Sequence, residues 1–287
     1  MSEEKEILVT GANGQLGQSI RTLVPASGHF HFTDVDTLDI GDKRQLTDFV
    51  LSNHIQYILN CAAYTAVDKA EDDVAVCTRV NCDGVRNMGE VSQAHGLKIV
   101  HVSTDYVFDG KATRPYKEDD ATNPTSVYGK TKLAGETALR EACPGAVIIR
   151  TAWLYSEFGT NFVKTMLRLG NERDEINVVS DQLGTPTYAG DLAAAILTIL
   201  NQSFVPGVYH YSDKGVCSWF DFATKIMELA GVNCRVHPVT TQDYPTRASR
   251  PAYSVLSKEK IKQVYGVEAP EWEDSLTVCL RKLLARS

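Results

Sequence analysis

The chain is 287 residues long, of which 43% are hydrophobic and 23% are charged. This length and composition allow one large domain, or one and a half, with a sizeable core, and they exclude disorder and collagen-like repetition. The 29 basic and 36 acidic side chains give a formal net charge of −7 at pH 7. That balance argues against a nucleic-acid-binding protein, which relies on clustered Lys and Arg, so an anionic ligand needs a local site.

Signals for a membrane, for export and for structural metal are weak. No stretch approaches the ~18 consecutive apolar residues of a membrane span. The acidic start, Met1–Glu6, has neither the basic nor the apolar region of a signal peptide. The seven cysteines are scattered and contain no C-x-x-C pair, which predicts neither a disulfide framework nor a zinc site. We therefore expect a cytoplasmic protein with reduced thiols and no membrane partner.

Short apolar runs alternate with amphipathic stretches through the first half of the chain. The runs predict strands over Ile7–Thr10, Phe30–Thr33, Tyr57–Asn60, Lys98–Ser103 and Ala146–Thr151. Helical patterns follow Asp42 and cover Val74–Ala94. Strands that alternate with helices are typical of βαβ units. The predicted fold is α/β, with a Rossmann-type doubly wound parallel sheet in a dinucleotide-binding domain over residues 1–151.

The pattern becomes less regular after Thr151. Helices are predicted over Asn161–Leu169, Asp191–Leu200, Trp219–Ala230 and Trp272–Leu284, and strands over Asn177–Val179, Val208–Tyr211 and Arg235–Val239. Thr240–Pro251 has the pattern of a long ordered loop, which in a compact enzyme is more often functional than idle. We expect residues 152–287 to form mainly a smaller α/β substrate-binding lobe, with some segments returning to the Rossmann core.

A glycine-rich turn follows the first predicted strand. Gly11, Gly14 and Gly17 are spaced G-x-x-G-x-x-G before a helical pattern. In a dinucleotide site the first glycine allows the tight turn, the second the approach of a pyrophosphate, and the third the packing of helix on strand. The helix N-terminus adds N–H groups and the positive end of its dipole. Glycines also mark ordinary turns, but the position between strand and helix favours a dinucleotide site.

Asp34 stands at the end of the second predicted strand. An acidic side chain there can accept hydrogen bonds from the adenosine ribose hydroxyls. The alternative is a solvated loop carboxylate, and Asp36 and Asp39 compete for the role. Because no Arg or Lys occurs between Arg21 and Lys43 to meet a 2′-phosphate, we expect NADH to be accepted, with NADPH less well explained.

Tyr128 and Lys132 are spaced i to i+4, one turn apart, on a helix whose start is marked by Pro124 and Ser126. A phenol has a pKa near ~10, and an adjacent ammonium lowers that pKa by favouring the phenolate. Such a tyrosine can give a proton to a carbonyl oxygen as a hydride reaches the carbon. Thr104, at the end of the fourth strand, occupies the place of a ligand-facing hydroxyl. A lone Y-x-x-x-K favours an ordinary helix, but the glycine turn and Thr104 reverse that interpretation.

With these motifs the chain resembles the extended short-chain dehydrogenase/reductases and, among them, the dTDP-4-dehydrorhamnose reductase family, over almost its whole length. The glycine turn and the Y-x-x-x-K pair are common to the whole superfamily. The segments that carry the resemblance are Thr10–Gly17, Asn60–Glu71, Ser103–Gly110, Asn123–Glu136, Arg150–Trp153, Asp181–Thr187 and Arg250–Leu256. The STDYVFDG, QLGTPT and RPAYS sequences within them are the narrower signals.

The resemblance implies roles for individual residues. Tyr128 would be the proton donor, Lys132 would lower its pKa and hold the nicotinamide ribose, and Thr104 would bind near the substrate carbonyl. The cofactor would be NADH or NADPH and the substrate a dTDP-sugar. The implied contacts are Gly14, Gln15 and Leu16 for the pyrophosphate, Asp34, Asp39 and Ile40 for the adenosine end, Ala63, Tyr64 and Thr65 for the middle of the cofactor, and Thr104, Asp105 and Trp153 for the nucleotide-sugar.

Four further residues are weighed between a functional and a structural role. Arg250 and Arg247 are candidates for the substrate diphosphate, because a planar guanidinium grips phosphate oxygens in pairs, but Arg247 is equally well explained as a surface charge. The flanks of Trp153 also fit a core aromatic, so that its assignment rests on the resemblance. His101 lies within the fourth predicted strand and is interpreted as a packed core histidine.

The implied reaction is reduction of the C4 keto group of dTDP-4-dehydro-L-rhamnose to dTDP-L-rhamnose, the last step of dTDP-rhamnose synthesis for polysaccharides. One alternative is an epimerase or 4,6-dehydratase on the same scaffold. A dehydratase of this kind has Glu after the Thr-Asp pair, where this chain has Tyr106. The other is a non-catalytic nucleotide-binding regulatory subunit, which need not keep Tyr128, Lys132 and Thr104 together.

The sequence also bears on metal binding and on assembly. Some members of the family are described as metal-assisted dimers. Glu268, Glu271 and Glu273 have the pattern of a helix start rather than a divalent-cation site, so no metal site is predicted. A homodimer is compatible with the sequence.

Overall fold

The computed structural model of the chain describes residues 5–25 and 28–285. Its strands are β1 (Ile7–Thr10), β2 (Phe30–Phe32), β3 (Tyr57–Asn60), β4 (Lys98–Thr104), β5 (Val147–Thr151), β6 (Leu154–Tyr155), β7 (Glu175–Val179), β8 (Leu183–Gly184), β9 (Thr187–Tyr188), β10 (Gly207–His210), β11 (Cys217–Ser218) and β12 (Arg235–Val239). Its α-helices are α1 (Gln15–Leu23), α2 (Lys43–Ser52), α3 (Val67–Ala70), α4 (Val74–Thr78), α5 (Gly84–His95), α6 (Val127–Ala142), α7 (Phe162–Glu172), α8 (Ala189–Leu200), α9 (Trp219–Ala230), α10 (Glu259–Tyr265) and α11 (Trp272–Leu284).

The main sheet is parallel, with its strands in the order β10-β5-β4-β3-β1-β2. Alternate residues of a strand face opposite sides of the sheet. Ile7 and Val9 of β1 pack in one apolar cluster with Ile20 of α1 and Ile196 of α8, whereas Leu8 packs in a second cluster with α2 and α5. Both faces are therefore covered, which explains the continuous apolar runs. The predicted doubly wound α/β fold is confirmed.

The direction in which successive strands are added to the parallel sheet reverses between β1 and β3. Strand β2 lies on one side of β1, and β3, β4 and β5 follow on the other side. In register, Thr10 of β1 lies beside Asn60 of β3, and Asn60 lies beside His101 of β4. The carboxyl ends of these strands therefore meet at one edge, where open α/β sheets bind their ligands.

The second half of the chain builds its own apolar cluster from α7, α9 and α11, with Met166, Phe222, Ile226 and Leu276 among its buried members. Three small sheets accompany it: β7 with β12, β8 with β11, and β6 with β9. Strand β10 joins the edge of the main sheet beside β5, and α8 packs on α1. Part of the second half thus completes the layers of the first.

The predicted helix over Val74–Ala94 is wrong in one respect. The structure divides it into α4, a π-helical turn over Arg79–Asp83, and α5. The turn is short and has no distinctive sequence pattern, so periodicity alone did not reveal it. Asn81, in this turn, places its side chain on the backbone of Tyr64.

A buried ion pair attaches α6 to the main sheet. Arg150 of β5 donates to Glu136 of α6 through Nη2 at 2.7 Å and through Nε at 2.9 Å. Removing one partner of such a pair typically costs about 3–5 kcal/mol, because the other charge is left buried. Tyr128, Lys132 and Glu136 are spaced i, i+4 and i+8 on α6, so the pair fixes the rotation of the face that carries all three.

Over the described ranges, no helix combines the length and the apolar composition needed to cross a lipid bilayer. The same residues contain no group of three or more His, Cys, Asp or Glu side chains arranged to hold a metal ion. The cysteines are free thiols, and all but Cys61 are buried.

Candidate active site

The three glycines of the turn after β1 have different surroundings. Gly11 has a φ of +64°, and a Cβ there would lie 2.6 Å from the Ala62 backbone. A Cβ on Gly17 would lie 2.5 Å from the Cα of Ala12. A Cβ on Gly14 would meet only the Gly11 carbonyl oxygen, at 3.2 Å. Gly11 and Gly17 are therefore required by the protein itself, whereas the space beside Gly14 remains for a ligand.

Helix α1 begins after Gly14 with no side-chain cap and no acidic residue in its first turn. The positive end of the helix dipole is thus left for an anion. Gln15, in the first turn, accepts hydrogen bonds through Oε1 from Ser156 at 3.1 Å and Asn161 at 2.8 Å. Leu16 is buried in the core beneath the turn. The turn therefore fits a pyrophosphate, and Gln15 connects it to the segment that follows β6.

The predicted adenosine end holds a cation that sequence analysis missed. Asp34 accepts hydrogen bonds from the backbone N–H groups of Asn13 and Val35, each at 2.8 Å. Asp39 forms an ion pair with Arg79 of the π-helical turn. Ile40 is buried and packs where a Cβ on Gly84 would lie. The stretch between Arg21 and Lys43 contains no Arg or Lys. The cation at this end is Arg79, which lies 40 positions after Asp39 in the sequence.

In the segment after β3, some residues line the cavity and one has its side chain turned into the surrounding structure. Ala63 and Thr65 line a cavity next to the glycine turn. The Tyr64 side chain instead donates its hydroxyl to Asp73 at 2.8 Å, and burial together with that carboxylate raises the pKa of Tyr64 to about 12. Asn81 accepts from the Tyr64 backbone N–H at 2.9 Å. Tyr64 therefore shapes the segment through its backbone.

A cavity of about 520 Å³ extends from the glycine turn to the Tyr/Lys pair. The predicted site residues that line it are Gly14, Gln15, Leu16, Ala63, Thr65, Thr104, Asp105, Tyr128, Lys132 and Trp153. Asp34, Asp39, Ile40, Tyr64 and Arg250 are not among its lining residues. A cavity that joins the glycine turn to the Tyr128–Lys132 pair could hold a dinucleotide.

Tyr128 is buried near the start of α6, whose N-cap Ser126 accepts from the Gly129 N–H at 3.1 Å. Burial raises the pKa of the Tyr128 phenol above its ordinary value, and a hydrogen bond with Thr104 opposes that rise. The direction is opposite to the one expected from the i to i+4 spacing with Lys132. Tyr128 is consequently a protonated phenol at neutral pH, which is the form that can donate a proton.

Lys132 is buried and directs its ammonium toward β4. Its Nζ donates to the Val102 carbonyl oxygen at 2.7 Å and lies 3.5 Å from His101 Nε2. Burial lowers the pKa of Lys132 to about 8, and the Glu136 carboxylate opposes that change. At neutral pH the group is still predominantly cationic, although its pKa lies well below the usual one.

Thr104 and Asp105 form a polar pair at the end of β4. Thr104 donates to Asp105 Oδ1 at 2.9 Å and accepts from the Tyr106 N–H at 3.2 Å. Burial raises the pKa of Asp105 to about 7, and the hydrogen bond with Thr104 opposes that rise. Among the described residues, the buried Oδ2 of Asp105 and the buried hydroxyl of Ser254 have no hydrogen-bond partner.

Trp153 lies between two cavities and stacks on Trp219, with ring centroids 3.5 Å apart and planes at 9°. Its φ of +47° is unusual for a residue with a side chain and is typical of positions that the surrounding structure holds under strain. A Cβ on Gly184 would lie 2.5 Å from the Trp153 ring, which explains the glycine in the QLGTPT sequence. Trp153 is partly buried and also packs against two of the apolar core clusters, so both interpretations of this residue stay open. Trp219 was not identified from the sequence.

The two arginines of the Thr240–Pro251 loop differ in position. Arg250 donates to both carboxylate oxygens of Asp68, at 3.0 and 2.7 Å, and lines a second cavity of about 520 Å³ that also has Trp153 and Trp219 in its wall. Arg247 pairs with Asp72 on the surface and lines neither cavity. The loop is thus attached to the segment that begins at α3, and Arg250 is the arginine that reaches the site.

The chain matches known proteins over nearly its whole length. The family model described as RmlD substrate binding domain matches residues 5–285. A dTDP-4-dehydrorhamnose reductase of Aggregatibacter actinomycetemcomitans is 42% identical over 283 residues, which cover 94% of this chain and 96% of that protein.

Two solved structures agree with this match. A dTDP-4-dehydrorhamnose reductase from Clostridium acetobutylicum has a TM-score of 0.94 and 43% identity, covering 97% of this chain and 99% of that chain. One from Bacillus anthracis, in complex with NADP, has a TM-score of 0.94 and 39% identity, with coverage of 97% and 99%.

The glycine turn yields a paired prediction. Gly14→Val places a branched side chain in the open space, and we expect the Kd for NADPH to rise at least ~10-fold, equivalent to about 1.4 kcal/mol, with little change in Tm. Gly17→Val places its side chain against the Ala12 backbone, and we expect it to lower Tm by several degrees. Titration calorimetry and thermal unfolding measure the two effects. Unchanged affinity in a folded Gly14→Val protein would contradict the assignment of this turn.

Proposed function

The chain belongs to the dTDP-4-dehydrorhamnose reductase family, and we propose on that basis that it reduces the C4 keto group of dTDP-4-dehydro-L-rhamnose to give dTDP-L-rhamnose. The reductant is NADH or NADPH. The observation that supports this reaction best is the meeting of Tyr128, Thr104 and Lys132 in one cavity with the glycine turn. We place the reaction in the cytoplasm, where NAD(P)H is available; it requires no nucleic-acid or membrane partner and is compatible with a homodimer.

Part of the proposed cofactor contacts lie along the cavity. Gly14 and the first turn of α1 offer backbone N–H groups to the pyrophosphate, and Ala63 and Thr65 lie along the path toward Lys132. Asp34, Asp39 and Ile40 are assigned to the adenosine end, beyond the cavity. Bound NADH or NADPH supplies the hydride that reaches the C4 carbon of the sugar.

The proton comes from Tyr128. Its O–H bond breaks as the proton passes to the C4 oxygen, so the ketone gains one hydride and one proton and becomes the alcohol. Thr104, which lines the same cavity as Tyr128, orients the phenol and the carbonyl oxygen. The Lys132 ammonium stabilises the phenolate that remains, because an opposite charge nearby favours the ionised form.

The substrate lies between the two cavities. The Trp153–Trp219 stack forms their shared wall and offers an apolar face to the deoxysugar. Arg250 offers a fork of N–H donors to the diphosphate. Asp105 contributes a polar group beside Thr104. In this assignment residues 1–151 carry the cofactor and the catalytic helix, and residues 152–287 mainly recognise the sugar nucleotide.

The position after Asp105 disfavours the dehydratase alternative. Tyr106 stands there, partly buried and packed against Tyr128, with ring centroids 5.4 Å apart in an edge-to-face arrangement. A phenol whose pKa is raised by burial cannot replace a carboxylate as a base at neutral pH. The neighbourhood of Tyr128 therefore suits reduction without dehydration.

The acid–base pair can be tested by substitution. We expect Tyr128→Phe to lower kcat by a factor on the order of 10²–10⁴ with the substrate affinity nearly intact, because only the proton donor is lost. Lys132→Met should lower kcat and also weaken cofactor binding. Lys130→Met, on the exposed side of the same helix, is the matched control. Near-normal turnover by Tyr128→Phe would contradict the assignment.

The two loop arginines form a second matched pair. Arg250→Met removes a charge-assisted contact to the diphosphate, and we expect KM for the dTDP-sugar to rise ~10- to 100-fold, in line with about 1.5–3 kcal/mol for such a hydrogen bond. Arg247→Met should change KM less than about twofold, because an exposed pair contributes little. Steady-state kinetics with both variants decide the point, and equal effects would refute the placement of the diphosphate at Arg250.

The reaction itself can be followed directly. The unstable 4-keto sugar is generated from dTDP-glucose by the two preceding enzymes, and absorbance of NADH and NADPH is recorded. We expect one reduced coenzyme to be oxidised per dTDP-L-rhamnose formed, as identified by chromatography and NMR. An epimer formed without coenzyme consumption would replace the reductase by an epimerase, and binding without turnover would favour the regulatory subunit.

A further inference from the structure

His101 is not an ordinary packed core histidine. It is completely buried in β4, and each of its ring nitrogens lies near a polar side chain from another element. Asn60 Nδ2 is 2.8 Å from Nδ1, and Lys132 Nζ is 3.5 Å from Nε2. Buried polar contacts of this kind strongly influence which ring nitrogen carries the proton, because water cannot replace a missing partner.

The orientation of the Asn60 amide follows from its other contacts. Its second terminal atom accepts from the Ala62 backbone N–H at 3.0 Å and from the Thr10 hydroxyl at 2.7 Å. A backbone N–H only donates, so the atom that faces it is the carbonyl oxygen. The amide NH₂ therefore faces His101 and donates to Nδ1.

A donor at Nδ1 fixes the tautomer of His101. Nδ1 has to be the acceptor, so the neutral ring carries its proton on Nε2. Burial and the Lys132 charge hold the pKa of His101 well below its ordinary value, so the ring stays neutral. The Nε2–H group thus points toward Lys132 Nζ.

The contact between Lys132 Nζ and His101 Nε2–H differs between the ammonium and the neutral amine of Lys132. An ammonium has only N–H groups to offer, so it makes no hydrogen bond with Nε2–H. A neutral amine has a lone pair that can accept from Nε2–H while one of its own N–H groups still donates to the Val102 carbonyl oxygen. His101 therefore favours the neutral amine over the ammonium.

The other groups around Lys132 do not provide this donor. Glu136, on the same helix, is held by Arg150 and favours the ammonium. Cys61 follows β3, and burial raises the pKa of its thiol to about 12. Cys77 of α4 lies against Thr131, and Tyr128 contacts Thr104. Among the groups described around Lys132, His101 is the N–H donor directed at Nζ.

We propose that His101, held by Asn60 in the Nε2–H form, is a positioning residue of the reaction that keeps Lys132 against the Val102 carbonyl and stabilises its neutral amine. The proposal rests on the proposed reductase function, since it concerns the lysine that stabilises the Tyr128 phenolate. Turnover requires the ammonium, so a group that favours the amine sets the upper pH limit of activity. His101 thereby adds to the effect of burial on Lys132 and lowers the upper pH limit of activity.

The test exchanges one atom of Asn60. In Asn60→Asp, one carboxylate oxygen can keep the bonds from Ala62 and Thr10, while the other faces Nδ1 and can only accept. The proton of His101 then moves to Nδ1, and the Nε2 lone pair faces the Lys132 ammonium and stabilises it. We expect ¹⁵N NMR of histidine-labelled protein to show a neutral Nε2–H form of His101 in the parent and an Nδ1–H form in the variant.

The kinetic arm uses the same variant. The pKa of a lysine rises when its ammonium is stabilised, so the alkaline limb of kcat, near pH 8 in the parent, should move up by at least ~0.5 pH unit in Asn60→Asp. Asn171→Asp, the same exchange at an exposed position of α7, should leave both readouts unchanged.

Two variants of His101 separate positioning from packing. His101→Gln can present an acceptor to Asn60 and a donor to Lys132, and should keep the parental pH limit, whereas His101→Leu should raise it. They also serve as the kinetic test if Asn60→Asp does not fold. A parent His101 that is protonated on Nδ1, or that titrates as a cation between pH 6 and 8, would overturn the proposal. The NMR measurement needs no turnover, so it remains decisive even where the reductase function fails.

Discussion

The candidate active site depends on one buried amide, the side chain of Asn60. Its oxygen accepts from the Thr10 hydroxyl of β1 and the Ala62 backbone N–H, and its nitrogen donates to His101 of β4. An unsatisfied polar group at such a buried place costs about 1–3 kcal/mol, so the contacts strongly favour one arrangement of three neighbouring strands. A one-residue slip of β3 would turn Asn60 to the other face of the sheet. The register of the sheet and the geometry of the site are therefore set together.

Helix α6 packs on the sheet and brings Tyr128 and Lys132 to this point. Ser126 caps its start, and the buried Glu136–Arg150 pair fixes it to β5 two turns beyond Tyr128. Lys132 lies between these two restraints and reaches the Val102 carbonyl of β4. The ion pair thus restrains the helix. A rotation of α6 that moved Tyr128 would separate Glu136 from Arg150 and leave two buried charges without their partners.

Local patterns in the sequence predicted most of the scaffold. The apolar runs correspond to β1 to β5, and the periodic stretches to α7, α8, α9 and α11, with most bounds shifted by no more than a few residues. The glycine turn and the Tyr128–Lys132 pair were identified because each occupies one short segment. Whether the remaining assigned residues perform their predicted roles stays a prediction, although the cavity brings most of them together.

What sequence analysis missed depends on residues that are distant along the chain. Arg79 reaches Asp39 across 40 positions, and Asn161 reaches Gln15 across 146 positions. Their contacts form only when the sheet and the loops are in place, so periodicity cannot reveal them. The Tyr128 pKa is raised by burial rather than lowered, which the spacing could not reveal, because i to i+4 spacing places two side chains on one face but specifies neither their burial nor the direction of Nζ.

The Asp68–Arg250 pair joins α3, in the first half of the chain, to the Thr240–Pro251 loop, in the second half. Arg250 reaches across 182 positions to Asp68 and is held with both of its terminal nitrogens engaged. The Asp68 side chain is 46% exposed, so the pair is partly solvated and contributes only about 0–1 kcal/mol. In the proposed assignment, a diphosphate would lose little by sharing or replacing Asp68, and it would meet a guanidinium that already lines the cavity. Binding to an ordered arginine would carry a lower entropy cost, and the weakly held carboxylate would compete little with the diphosphate.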